Sequence, residues 1–300
     1  MKLSVIIVNF NSLSYLKKCL STLHWVNLPF NFEIIVVDNG SGDGSREWLK
    51  TQSQCKVIFS PENLGFSKGN NLAIQEAEGE FILLLNTDAF PLKGSIEKLI
   101  EFLTARSRAG IAGPLLTFPD GRWQRGYNRT PSVRKAWMVL FTDMQNVFYP
   151  LVWPVIDALN LTPFVRPKKV GYVDGCCMMI KRAIIEDIGL LDESFFFFAE
   201  DAEFCHRARQ KGYEVYYVPK ARVIHIRGGS SARKDLEKAV ILRREAERLF
   251  ISRTFGNDEW ARYSRIMQFN FLIRYQLARI LNRPSQTYFS CALKEYKKRD

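Results

Sequence analysis

The sequence has 300 residues, enough for one large or two modest domains at about 100 to 200 residues each, which excludes a disulfide-stapled miniprotein. With 47% hydrophobic, 25% charged and 13% aromatic residues it reads as a packed globular chain, not a disordered, fibrous or polytopic membrane one. The formal charge of +12 is unevenly placed: residues 206–300 carry 22 basic and 9 acidic side chains against 21 and 22 in residues 1–205, which points to a near-neutral body with a basic tail facing an anionic partner.

Residues 3–8 form an apolar run interrupted by Asn9 and Asn11 and lacking a small-residue cleavage site, so they read as a buried strand rather than a signal peptide. Runs at 33–37, 56–59 and 81–85 read as further strands, and the segments 15–23, 45–49 and 67–77 between them as helices. This alternation predicts a mostly parallel sheet with helices on both faces, in which ligands gather at the carboxyl ends of the strands. The four segments that follow the runs are polar and turn-rich: Asn9-Phe10-Asn11-Ser12, Asp38-Asn39-Gly40-Ser41, Pro61 to Phe66, and Asn86-Thr87-Asp88. Any one of them is explained by turn and cap chemistry, but four converging on one edge point to a site. No G-x-G-x-x-G follows the first run and no P-loop occurs, which disfavours a dinucleotide oxidoreductase or a P-loop NTPase.

Residues 136–169 form an apolar insertion broken by Asp143, Pro150, Pro154 and Asp157, too interrupted for the roughly 20 apolar residues of a spanning helix. It could cover the site, lie on a bilayer or pack on the body. A strand-like stretch at 171–180, a helical turn from Arg182, a helix over 202–210 and strands at 215–218 and 222–226 follow, with a boundary near residue 230. Residues 231–300 read as helical. In the second tail helix Ile266, Phe269, Ile273, Leu277 and Ile280 share one face, flanked by Arg265, Arg274, Arg279 and Arg283, a pattern suited to an anionic membrane interface or to docking on the body. The six cysteines are scattered without a C-x-x-C pair, which favours a reducing compartment over a disulfide framework or a zinc site.

Three constellations carry chemistry. Asp88 follows a buried strand, and one or two protein carboxylates suffice for Mg²⁺ or Mn²⁺ when phosphate oxygens and water complete the shell. Glu200-Asp201-Ala202-Glu203 opens a helix behind four phenylalanines; Glu203 can pair with Arg207 at i,i+4, while a partly buried carboxylate in this position suits a base that takes a hydroxyl proton. His225 ends a strand before Arg227 and the Gly228-Gly229 pair, where imidazole and guanidinium can meet a metal or phosphate.

In order along residues 3–255, the segments Ser4 to Asn11, Val36-Val37-Asp38-Asn39-Gly40-Ser41, Asn63-Leu64-Gly65-Phe66 through Asn71, Leu85-Asn86-Thr87-Asp88, Val173-Asp174-Gly175, Phe198-Ala199-Glu200-Asp201 and His225 resemble the motifs of family 2 inverting glycosyltransferases, the rhamnosyltransferase-like branch most of all. The resemblance implies a GT-A nucleotide-diphospho-sugar transferase fold, Rossmann-like, over residues 1–230. Its nucleotide-binding half would span about 1–118 and its acceptor-side half about 119–230, followed by a basic helical extension over 231–300. It implies that Val8 and Asp38 hold the nucleotide base, with Asn9, Asn63, Gly65 and Asn70 around the nucleotide. Asn86 and Asp88 would stand in the metal motif, and Asp174 and Gly175 beside sugar and acceptor. Glu200 and Arg227 would complete the nucleotide-sugar contacts, Asp201 would be the catalytic base, and Asp88 and His225 the metal contacts. The first Asp of that motif is Asn86 here, a departure shared by the same branch. The expected reaction moves a sugar from dTDP-rhamnose or a UDP-sugar to a hydroxyl of a glycan or lipid-linked acceptor in cell-surface polysaccharide synthesis. It would need a divalent cation and take place in the cytoplasm or at the inner membrane face, with nucleic acid disfavoured as a partner. The rivals are a sugar nucleotidyltransferase, favoured by pyrophosphate release, and a non-catalytic nucleotide-sugar or membrane-binding protein attached through residues 206–300, from which donor hydrolysis retained after deletion of the tail would separate an enzyme.

Overall fold

The structure, a computed structural model, describes residues 1–26, 28–134, 136–137, 166–226 and 235–298. Most of the expected insertion and Arg227 with its glycine pair lie outside the described residues. The chain divides into two compact units, Met1–Asn128 with Arg166–Lys234, and Arg129–Val165 with Asp235–Asp300. This differs from the expected division in one respect: residues 129–165 group with the C-terminal region rather than with the first body.

The first unit is built on a ten-stranded sheet in the order β3-β2-β1-β4-β11-β6-β12-β5. Its strands are β1 (Leu3–Asn9), β2 (Phe32–Asn39), β3 (Lys56–Ser60), β4 (Phe81–Leu85), β5 (Ala89–Pro91), β6 (Ala109–Thr117), β11 (Cys177–Lys181) and β12 (Glu214–His225), with β7 (Trp123–Gln124) on β6 and β9 (Lys168–Lys169) on β12. A separate pair joins β8 (Tyr127–Asn128) to β10 (Tyr172–Val173). Strands β1 to β4 run parallel, as the alternating pattern predicts. β11 is antiparallel to both β4 and β6, and β12 is parallel to β6, so β12 runs in the same direction as β4.

Side-chain alternation splits the interior in two. Leu3, Val5, Ile7, Val36, Leu83 and Leu85 point to one face, beneath α1 (Leu13–Val26) and α4 (Ser95–Thr104). Ile6, Ile35, Val37, Ile82 and Leu84 point to the other, beneath α3 (Gly65–Gln75), α5 (Arg182–Ile188) and α6 (Glu200–Gln210). Because both faces are covered, the strands read as continuous apolar runs in the sequence. The short α2 (Ser45–Leu49) completes this unit.

Two expectations change in detail. The stretch 171–180 is not one strand: the turn Asp174 to Cys176 separates β10 from β11, with Cys176 N–H donating to Asp174 Oδ1 at 3.1 Å. The strands expected at 215–218 and 222–226 are one strand, β12, with an irregular register between Val218 and Arg222 around Pro219, whose missing N–H cannot join the ladder.

The second unit contains α7 (Leu236–Phe255), α8 (Asn257–Ile280) and α9 (Gln286–Tyr296). α8 has two apolar faces. Trp260, Tyr263, Met267 and Phe271 are its buried side, with Phe271 and Trp260 against Tyr296 of α9. The stripe read from the sequence is the other side: Phe269, Leu277 and Ile280 are 52%, 48% and 75% exposed. Arg274 does not flank that stripe, because its guanidinium lies over the rings of Phe271 and Phe289, where cation–π attraction and packing hold it inward. No helix among the described residues is long and apolar enough to cross a membrane.

Candidate active site

Register places the site. The carboxyl ends of β1, β2, β3 and β4 lie on one sheet edge, β11 begins there opposite Leu85, and β12 ends there with His225 paired to Ala89. Segments far apart in sequence therefore meet along one rim, as expected where parallel strands present their loops.

Side-chain amides and hydroxyls bind these loops to one another. Asn9 donates to Asp38 Oδ1 at 3.2 Å and to Ser41 Oγ at 3.1 Å, and accepts from Ser12 Oγ at 2.8 Å. Ser12 Oγ also meets Thr87 Oγ1 at 3.0 Å, which ties the β1 loop to the β4 loop. Asn39 donates to Asn63 Oδ1 and to the Gly65 carbonyl, at 2.9 and 3.0 Å, and accepts from Leu64 N–H at 2.9 Å. The sequence reading assigned Asn39 no role although it follows Asp38; a buried amide that can donate and accept at once is what joins two loops.

The cleft on this rim is lined by Val8, Phe10, Ser12, Asn39, Asn63, Gly65, Phe66, Asn86, Thr87, Asp88, Phe196 and Phe197. Val8, Asn63, Gly65, Asn86 and Asp88 of the expected set thus stand on it. Asp174, Gly175, Glu200, Asp201 and His225 are not among its lining residues, nor are Asn9, Asp38 and Asn70: Asn9 and Asp38 are fully buried within the loop network, and the Asn70 amide donates back to the Phe66 carbonyl at 2.8 Å. The polar atoms of these last three organise the backbone around the cleft instead of facing it.

Gly65 sits at φ +81°, and a Cβ there would lie 2.7 Å from Phe196 Cδ2 and closer still to the Phe196 carbonyl oxygen. That carbonyl accepts from Phe66 N–H at 2.7 Å, which docks the phenylalanine run on the start of α3. The run ends in two residues of left-handed backbone, Phe198 at φ 74° and Ala199 at φ 63°, before α6 begins with Glu200, Asp201 and Glu203 in its first turn. Negative charge is favoured at this helix end, and non-glycine residues in that conformation mark a segment held by its surroundings. Glu203 pairs with Arg207 at 2.6 Å as expected, and Arg207 also donates to the Ile188 and Leu190 carbonyls.

The turn before β11 joins the two halves of the rim. Asn86 N–H donates to the Cys176 carbonyl at 2.9 Å, and Gly175 N–H donates to Asp201 Oδ2 at 3.1 Å, so Asp174 and Gly175 stand between the β4 loop and Asp201. Burial, reinforced by the negative charges of Asp201 and Asp174, pushes the Glu200 carboxyl well above the usual carboxylate range; its Oε2 has no hydrogen-bond partner among the described residues. Of the carboxyls at this helix end it is Glu200 whose protonated form burial favours. Burial also drives the thiols of Cys19, Cys176 and Cys177 far above their usual range, so beneath the rim they are neutral packing groups.

Next to the β4 loop, His225 Nε2 lies 3.3 Å from Asp88 Oδ1, both residues being almost wholly buried. Ile226 N–H donates to the Asp88 carbonyl at 3.0 Å and fixes the two backbones together. On its other side the ring meets Gln124: Nδ1 is 2.5 Å from Oε1, and the amide nitrogen donates to the His225 carbonyl at 3.1 Å. Gln124 carries no signal in the sequence, since a two-residue strand has no period to read. Among the described residues no three His, Cys, Asp or Glu side chains converge to hold an ion. One carboxylate and one imidazole are still a fitting donor set for Mg²⁺ or Mn²⁺ when a substrate supplies phosphate oxygens.

The sequence model of Glycosyl transferase family 2 matches residues 4–189, more than half of the chain and the stretch that builds β1 to β11. The chain belongs to this family. As a family 2 enzyme it is a glycosyltransferase. It is 27% identical over 249 residues to the N-acetylglucosaminyl-diphospho-decaprenol L-rhamnosyltransferase of Mycobacterium tuberculosis, covering 77% of this chain and 78% of that protein. It is 31% identical over 229 residues to the low-salt glycan biosynthesis hexosyltransferase Agl10 of Haloferax volcanii, covering 74% of this chain and 66% of that one. Among solved structures, the Pyrobaculum calidifontis mannosyltransferase PcManGT in complex with GDP-Man and Mn²⁺ superposes with a TM-score of 0.57 at 13% identity, covering 100% of this chain and 88% of that one. Staphylococcus aureus TarS 1-349 in complex with UDP-GlcNAc gives 0.52 at 16% identity, with 99% and 89% covered. The fold of this family 2 glycosyltransferase is therefore GT-A.

Proposed function

We propose that this glycosyltransferase moves a sugar from a nucleoside-diphosphate donor, dTDP-rhamnose or a UDP-sugar, to a hydroxyl of a glycan or lipid-linked acceptor, inverting the anomeric centre. The observation that carries this reading is the rim itself: the turn before β11 is bonded to Asn86, two residues before Asp88, and to Asp201, while His225 lies against Asp88. Asp201, oriented by the Gly175 N–H, takes the acceptor hydroxyl proton; the oxygen attacks the anomeric carbon as its bond to the diphosphate oxygen breaks, and the nucleoside diphosphate leaves. Asp88 and His225 would hold a divalent cation, which when bound offsets the charge gathering on the leaving diphosphate. Val8, Asn63, Gly65 and Asn86 form the donor side of the cleft, and Asp174 and Gly175 the sugar and acceptor side.

The name of the mycobacterial relative includes a diphospho-decaprenol acceptor, which supports a lipid-linked acceptor here. The outer face of α8 supports work at a membrane surface: Phe269, Leu277 and Ile280 are exposed beside Arg265, Arg279 and Arg283, and no acidic residue occurs between Glu259 and Glu295. The deciding experiment is a thermal-shift panel of nucleotide sugars with and without Mg²⁺ or Mn²⁺, followed by turnover of Asp201→Asn. A cation-dependent shift with one donor, and a variant that binds that donor but loses transfer by about 10²- to 10⁴-fold, are expected. No shift with any donor, or near-normal turnover in the variant, refutes the reading. Co-sedimentation with anionic but not zwitterionic vesicles, abolished in Phe269→Asp/Ile280→Asp, tests the membrane part.

A further inference from the structure

We infer that Gln124 is the positioning residue that makes His225 a metal ligand through Nε2, an assignment that rests on the cation reading above. The inference follows from which atoms can donate. The His225 carbonyl only accepts, so the amide atom 3.1 Å from it is the Gln124 nitrogen, and this turns Oε1 toward the ring. Oε1 also only accepts, so the ring nitrogen 2.5 Å from it, Nδ1, carries the hydrogen. With the hydrogen on Nδ1, the imidazole lone pair falls on Nε2, the atom that lies 3.3 Å from Asp88 Oδ1.

Sheet register alone does not produce this. The pairing of His225 with Ala89 and the Ile226 to Asp88 hydrogen bond bring the two backbones together but leave the ring free to choose either tautomer and either flip. In the opposite tautomer Nε2–H would donate to Asp88, and the two groups would satisfy each other instead of facing an ion. Gln124 excludes that state from within the interior: it is 2% exposed, and both ends of its amide are spent on the one histidine. A hydrogen bond to the far nitrogen of a ligating histidine is a common outer support of metal sites, and its loss typically weakens affinity by about 10- to 100-fold.

The test uses the full chain with Mn²⁺ titrated in the presence of UDP and, separately, dTDP, free Mn²⁺ being read by electron paramagnetic resonance. Gln124→Leu, shown to be folded by a cooperative melting transition without metal, is expected to bind Mn²⁺ about 10- to 100-fold more weakly than wild type. Gln124→Glu keeps an acceptor at Nδ1 and is expected to stay within a few-fold of wild type. Folded Gln124→Leu with wild-type Mn²⁺ affinity overturns the inference. Should that variant not fold, ¹⁵N-histidine spectra of the wild-type chain decide: with only three histidines, His225 is assigned by His225→Ala, and an Nδ1–H ring is expected whereas an Nε2–H ring overturns the inference. Asp88→Ala separates the two claims. If it binds Mn²⁺ as wild type does, the cation reading itself fails; if it and His225→Ala lose Mn²⁺ while Gln124→Leu does not, only the role of Gln124 fails.

Discussion

Gly65→Ala probes how the phenylalanine run that leads to Asp201 is held. The new Cβ would meet Phe196 Cδ2 at 2.7 Å and its carbonyl oxygen more closely, in a backbone at φ +81°. Left-handed backbone costs a non-glycine residue about 1 to 2 kcal/mol. Displacing the Phe196 peptide also weakens the 2.7 Å Phe66 to Phe196 hydrogen bond, worth about 1 kcal/mol net. The total is about 2 to 3 kcal/mol, or roughly 4 to 12 °C in melting temperature for a body of this size. If the run moves to relieve the contact, α6 starts in the wrong place and kcat falls further than the melting temperature. The control is Gly42→Ala, where an added Cβ meets no atom within 4 Å. Calorimetry and a nucleoside-diphosphate release assay on both variants check the prediction. A Gly65→Ala enzyme with the stability and kcat of Gly42→Ala would refute the reasoning.

Glu247 of α7 accepts from Tyr263 of α8 at 2.9 Å and Tyr296 of α9 at 2.5 Å, so one buried carboxylate links three helices. Glu247→Ala is expected to cost about 3 to 5 kcal/mol, with amide exchange rising across 236–296 while β1 to β4 keep their protection. Glu200 has its proton affinity raised in the folded state, so the folded chain binds more protons than the unfolded one above the ordinary carboxylate range, and stability falls as pH rises toward the folded value. The melting temperature of wild type relative to Glu200→Gln should therefore drop as the pH rises above the ordinary carboxylate range; a constant difference would refute this. Ala199→Gly removes a side chain from φ 63° and is expected to stabilise by up to about 1 kcal/mol in denaturant titration.

The parallel half of the fold was legible in the chain because each of β1 to β4 is a local apolar run with a local helix after it, and burial on both faces writes itself into consecutive residues. The candidate site was legible for the same reason: loops after such strands must share an edge, so Asn63, Asn86 and Asp88 could be named before any coordinate. The antiparallel entry of β11, the inward turn of Asn9 and Asp38, the burial that raises the proton affinity of Glu200, and the outward side of the α8 stripe were not legible. Each depends on what lies across the fold. His225 and Gln124 are 101 residues apart, and their hydrogen bonds exist only because β12 and β7 both pair with β6. Periodicity records how deeply a residue is buried; which donor meets which acceptor there is set by register between distant strands.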